Sequence, residues 1–173
     1  MTLLAPQTRL DPKALRQAFS VFPTGVSIVT ARTGDDTPVG FTANSFTSVS
    51  LDPPLLLVCP GRYLSSFSVF ENCERFAVNV LAEGQEALSD RFARFGGDRF
   101  AQIGWWDEAG MPPVLDGVAA HFLCATHRVI PAGDHIVLMG AVEAFQRSDR
   151  RGLGFAEQTY FSLGDAGRER HYG

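Results

Sequence analysis

An antiparallel, mainly β barrel with α decoration is the fold class that this sequence predicts. Three observations predict it: many short β-rich runs separated by Gly, Pro and Asp turns, few segments of helical periodicity, and no strand-helix-strand rhythm of the kind a parallel sheet needs. With 173 residues, 45% hydrophobic and 20% charged, the chain is long enough for one substantial core. One domain over 1–173 is expected, with barrel and helices over about 12–165 and short extensions at both ends.

The elements follow in order. LDPKALRQAFSVF offers Asp11 as N-cap, Pro12 at the first helical position, and Leu15, Ala18, Phe19 and Phe22 at three-to-four spacing, which predicts a helix from about Pro12 to Phe22. Pro23 to Gly25 ends it. VSIVTAR is a β-branched strand, TGDDTP a hairpin loop, and Val39 to Leu51 the long partner strand. Apolar residues in that partner stand at 41 and 43, then at 46, 49 and 51, a slip of phase at Asn44 and Ser45 that a β-bulge explains. Asp52-Pro53-Pro54 stops the strand. LLLVC then starts another, and its unbroken apolar run predicts burial on both faces, one in the core and one under a helix or a second subunit. LSSFSVFEN is a short helix and RFAVNVL a strand. GQEALSDRFARF is an amphipathic helix with Ala87, Leu88, Phe92 and Phe95 on one side. A Gly, Trp and Pro-rich loop runs from about Gly96 to Gly117, with Trp105 and Trp106 anchoring it to the barrel or covering a site. Two long strands, Ala119 to Ile130 and His135 to Gln146, are joined by PAGD, and a last strand lies around Thr159 to Leu163.

Composition excludes several function classes. A net charge of −4 and scattered arginines give no footprint for nucleic acid or anionic lipid. Cys59, Cys73 and Cys124 are odd in number and widely spaced in apolar sequence, so three buried thiols in a reducing compartment are expected rather than a disulfide framework. MTLLAPQTRLD has no charged n-region, and no stretch reaches membrane-spanning length, so a soluble, cytoplasmic protein is expected. GxGxxG, GxxxxGK[ST] and GxSxG are all absent. Among His121, His127, His135 and His171 no HExxH or carboxylate cluster occurs. His121 and His127 differ by an even number on one strand and can share a face, but no metal site is expected.

One stretch raises a question of its own. GFTANSFTSVSLDPPLLLVCP sets Thr42, Asn44, Ser45, Thr47, Ser48 and Ser50 in close order, which suits either a hydroxyl-rich edge strand or a flat polar ligand lying against it. With LRQAFSVFPTGVSIVTA, RFAVNVLAEGQEALSDRFA, GMPPVLDGVAAHFLC and AGDHIVLMGAV, it resembles the short-chain flavin reductase family over nearly the whole chain. That family comprises the reductase components of two-component flavin-dependent monooxygenases. The resemblance implies a Greek-key FMN-binding split β-barrel, usually a homodimer with flavin near the subunit interface. It also implies NAD(P)H:flavin oxidoreductase activity on FMN or FAD, with NADH or NADPH as co-substrate and a separate oxygenase receiving reduced flavin by diffusion. A flavin- or haem-binding split barrel without turnover is the alternative, and a cofactor-free interaction barrel a further one.

The residues make sense beside the resemblance. A flavin's pyrimidine edge alternates donors and acceptors, which Thr42, Ala43, Asn44 and Ser45 can match with short side chains and backbone amides. Phosphate needs donors, and CPGRYLSSF offers Arg62 as a charged fork with Ser65 and Ser66 at a helix start, although Ser65 also reads as a plain N-cap. The resemblance places flavin contacts around Cys59, Pro60, Ser65 and Ser66, and near Arg91 and Phe92. In GDHI, Gly133 permits an unusual backbone angle, Asp134 can orient an imidazole and His135 can contact a nicotinamide; a hairpin turn ending in an exposed His is the other reading. The resemblance favours the nicotinamide side, with His135 as the catalytic candidate. Leu123 and Ala141 stand where the family commonly has acidic residues, and Ile136 where it has threonine, which bears on pyridine-nucleotide preference.

Overall fold

A computed structural model describes residues 10–94 and 96–162. Phe95, Leu163 and His171, named above, lie outside the described residues. The first element is α1 (Pro12–Ser20), capped by the Asp11 side chain, which accepts from Lys13 N. It stops two residues short of the expected end, and none of its residues is buried. There follow β1 (Thr24–Gly25), β2 (Ser27–Arg32), β3 (Pro38–Ala43), β4 (Thr47–Leu51), β5 (Pro54–Val58), α2 (Phe67–Asn72) and β6 (Arg75–Val80). Next come α3 (Glu86–Ala93), β7 (Trp105–Trp106), β8 (Val114–Leu115), β9 (Ala120–Ala132), β10 (His135–Arg147), β11 (Leu153–Ala156) and β12 (Thr159–Ser162).

Seven strands form one antiparallel sheet in the order β3-β2-β6-β9-β10-β5-β4. The consecutive strands β3 and β4 therefore sit at opposite edges. Ala43 and Thr47 are four residues apart and so at most about 15 Å from one another, whereas the edges of a flat seven-stranded sheet would lie about 29 Å apart. The sheet has to curl, and the result is the split barrel. This corrects the reading of residues 39–51 as one bulged strand. The slip of phase at Asn44 and Ser45 is real, but its cause is a linker that crosses between barrel edges.

Alternation along β2 fills two cores. Val29 and Ala31 face the barrel interior with Phe41, Leu56, Val58, Phe76, Val78, Cys124 and Leu138. Ile28, on the other face, joins Val26, Leu81, Phe92, Leu115 and Leu153 under α3 and the 105–118 loop. The strands buried on both faces are thus β2 and β6. On β5, Leu56 and Val58 are buried while Leu55 and Leu57 remain half-buried. On α3 the covered side is Leu88, Ser89 and Phe92, and Ala87 is exposed, contrary to expectation. The thiols also differ from expectation: Cys124 is buried, but Cys59 and Cys73 are half-buried because both stand at ends of their elements. No helix among the described residues is long and apolar enough to cross a membrane.

Candidate functional site

Three stretches far apart in sequence meet at Cys59 to Arg62. From the 44–46 linker, Ser45 Oγ accepts a hydrogen bond from Cys59 N at 2.9 Å. From β10, Ile136 N donates to Pro60 O at 3.0 Å, and Gly61 forms a β-bridge with His135. Arg62 N donates to Asp134 O at 2.8 Å. The polar linker, the CPGR loop and the GDHI turn are therefore held to one another mainly by backbone bonds, which fix geometry whatever the side chains do. Asn44 is exposed in this linker.

The β9–β10 hairpin ends in a two-residue turn, Gly133-Asp134, closed by the pair His135↔Ala132. Gly133 has φ +67°, a left-handed angle that glycine adopts without a Cβ penalty. Asp134 Oδ1 lies 2.7 Å from His135 Nδ1. That bond, followed by the charge of the imidazole, holds the Asp134 carboxyl below the usual carboxylate range, and Arg16 of α1 adds to the effect. The ring of Tyr63 meets the imidazole edge-on, centroids 5.8 Å apart.

Arg62 is more engaged than a free phosphate fork. Its Nε donates to Gly133 O at 3.3 Å, and the guanidinium lies 5.2 Å over the Phe67 ring. Its terminal amino groups have no hydrogen-bond partner among the described residues. Ser65 is exposed, whereas Ser66 is buried at the start of α2 with no capping bond from its side chain. Ser66 Oγ makes no hydrogen bond, an unusual condition for a buried hydroxyl. An unfilled donor of this kind, four residues after a charged fork, fits an anionic oxygen, and the short donors at 42–45 fit the heteroatom edge of a flat ring.

Other expected residues lie elsewhere. Thr42 Oγ1 donates to Ser89 O at 2.6 Å and so ties β3 to α3. Ala43 is buried with its side chain in the barrel core, leaving its backbone as what it can offer. Arg91 is exposed and donates to Ala101 O at 2.7 Å. Phe92 is a correction: 1% exposed, it packs edge-on against Phe100 and under Gly40, so its side chain is core and cannot face a ligand. The Cys59 thiol is pushed up by burial, with the Ser45 hydroxyl opposing, which disfavours thiolate chemistry.

Among the described residues His121 and His127 join no group of side chains that could hold a metal ion. The register passes from Met139↔Arg128 to Gly140↔Thr126, leaving His127 as the extra residue of a bulge. Trp105 packs in the second core beneath the Arg32 guanidinium, which anchors its loop. Trp106 instead lines a cavity of about 540 Å³ between residues 114–118 and the outward face of β9 and β10. Sequence reasoning passed over Gly61, Tyr63 and Ser89, whose contacts depend on a register between distant segments that periodicity does not report.

Residues 19–164 match the family model described as a flavin reductase like domain. Over 152 residues the chain is 50% identical to the stachydrine N-demethylase reductase subunit of Rhizobium meliloti strain 1021, covering 88% of this chain and 66% of that protein. It is 48% identical over 150 residues to the reductase component of the flavin-dependent trigonelline monooxygenase of Acinetobacter baylyi, covering 87% and 48%. The chain thus spans about half to two thirds of the length of these curated relatives. Among solved structures, the NADH:FAD oxidoreductase of Streptomyces globisporus C-1027 in complex with NAD and FAD fragments superposes with a TM-score of 0.83 at 38% identity, covering 93% of this chain and 99% of that one.

Proposed function

The chain belongs to the flavin reductase-like family, and from that premise we propose that it is an NAD(P)H:flavin oxidoreductase that supplies reduced flavin to a separate monooxygenase. The observation that carries the reading is the junction at Cys59 to Arg62, where the polar linker, the phosphate-competent loop and the His135 turn come together. Asn44 and Ser45, with the backbone of Thr42 and Ala43, would hold the ring edge, and Arg62, Ser65 and Ser66 the phosphate. Gly133, Asp134 and His135 would receive the pyridine nucleotide. When bound, flavin supplies the hydride-accepting centre for a reduced nicotinamide. The chain's share is positioning. The Asp134 carboxylate accepts from Nδ1–H of His135, which leaves Nε2 as the ring atom open to a polar group such as a carboxamide. No side chain needs to take or give a proton for the transfer itself.

The name of the Streptomyces globisporus relative, an NADH:FAD oxidoreductase, supports FAD with NADH as the ligands to try first, with FMN the other flavin of the proposal. A homodimer is part of the proposal. Its support is apolar surface that a single chain leaves uncovered: half-buried Leu55 and Leu57 on β5, Leu51 at 94% exposure on β4, and exposed Phe19 and Phe22 at α1. Light scattering at micromolar protein should give twice the chain mass; a monomer mass would remove this part.

Anaerobic mixing with NADH tests the function. NADH should be consumed when FAD or FMN is added, with bleaching of the flavin absorbance, and not in its absence. Flavin binding without bleaching would leave a passive binder, and no binding at all would leave an interaction barrel.

A further inference from the structure

Tyr63 belongs to none of the groups assigned above, yet it is the large aromatic side chain nearest to His135. Its ring is 65% exposed and nonetheless fixed on two sides. One side is Gly61: a Cβ built on that glycine would lie 2.2 Å from Tyr63 Cε1 and 2.8 Å from Cδ1 and Cζ, so the ring is seated on the backbone and no larger residue fits beneath it. The other is the imidazole, met edge-on at 81°. Gly61 is itself bridged to His135 through the backbone, so a backbone contact and a ring contact converge on one residue. Tyr63 is left 65% exposed by these contacts, which leaves ring surface on which a planar group can stack.

We propose that Tyr63 is a positioning and specificity residue for the pyridine nucleotide. It holds the His135 ring upright against the Asp134 bond and offers its open face to a planar heterocycle of the incoming dinucleotide. The groups facing the imidazole are Asp134 on its own turn and Tyr63 on the facing loop. Nearby, Arg62 Nε is held by Gly133 O, and Arg16 of α1 acts on Asp134. The inference rests on the reductase reading above and adds to it the residue that presents the nucleotide.

A double-mutant cycle between Tyr63→Ala and Gly61→Ala tests it. Either change should raise the half-saturating NADH concentration about three- to tenfold, the worth of one aromatic pair, while FAD affinity moves less than twofold. The double variant should match the single ones, because Gly61→Ala acts by evicting the Tyr63 ring. Tyr63→Phe, which keeps the ring, should restore the parent value. An independent readout is the NMR signal of the His135 ring protons in the ligand-free protein, which Tyr63→Ala should shift and Tyr63→Phe should leave in place. Additive losses, an equal fall in FAD affinity, or an unmoved NADH requirement would overturn the inference while the reductase reading stands. A parent protein that does not oxidise NADH with FAD would overturn both.

Discussion

Two polar regions of this barrel differ in how completely they satisfy themselves. Beneath the 105–118 loop, Asn79 is fully buried, and its Nδ2 donates to Ile28 O at 3.1 Å and Thr30 Oγ1 at 3.3 Å, while its Oδ1 accepts from Leu115 N at 2.9 Å. Thr30 Oγ1 in turn donates to Pro113 O at 2.5 Å. Nothing there awaits a partner. At the Cys59–Arg62 junction the backbone is equally well bonded, but Ser66 Oγ is buried without a partner, Arg62 has unused amino groups, and Asn44 stands exposed. A closed polar cluster fixes structure, whereas an open one bonded mainly through its backbone is prepared to receive something. Glu83 Oε1, the other unpartnered buried side-chain oxygen among the described residues, stands in the loop before α3, away from this junction.

Asn79→Ala should have the largest effect on the fold. The change strands Leu115 N, takes a donor from Ile28 O and Thr30 Oγ1 and unpins the loop, so it should cost about 3 kcal/mol of stability, the scale of a buried network losing its centre. The midpoint of urea unfolding reads this directly. Flavin affinity of the folded fraction should hold within about twofold; a parallel loss of affinity would mean that the two regions are not separate.

Arg62→Ala probes the open region and should have a smaller effect on the fold. A charge-assisted hydrogen bond contributes about 1.5–3 kcal/mol, so FMN affinity should fall roughly tenfold or more, with riboflavin, which lacks phosphate, moving much less. Because Arg62 Nε also holds Gly133 O, NADH use should weaken as well. Equal losses for FMN and riboflavin would show that Arg62 serves the turn and not the phosphate.

How much of this was legible in the sequence depended on the range of the interaction. Helix α1 declared itself through Asp11 and Pro12, and the β9–β10 hairpin through two long β-rich runs, since both are matters of local propensity. The closing of the barrel was not legible: a bulge and an inter-edge linker produce the same slip at Asn44, and which occurs is decided by pairing with β5 and not β2. Phe92 shows the opposite failure. Its place on the apolar side of α3 already marked it as core, and the family resemblance drew it into the site. The junction itself required Gly61 to find His135 across more than seventy residues, a contact that no periodicity encodes.

The smallest expected effect discriminates best, because its sign differs between the two kinds of polar region. A serine that caps a helix loses about 1 kcal/mol on replacement by alanine. Ser66 stands at the N-cap of α2 but makes no capping bond with its side chain, and its hydroxyl is desolvated without return. Ser66→Ala should therefore leave the stability of the ligand-free protein unchanged or raise it by up to about 1 kcal/mol. If FMN supplies the missing partner, the same variant should bind it about three- to tenfold more weakly, the worth of one ordinary hydrogen bond. Paired thermal shifts with and without FMN separate these outcomes: the ligand-free melting point should hold or rise while the shift on adding FMN shrinks. A ligand-free protein destabilised by the full worth of a cap, with its FMN shift intact, would place Ser66 with Asn79 among the residues that build the fold.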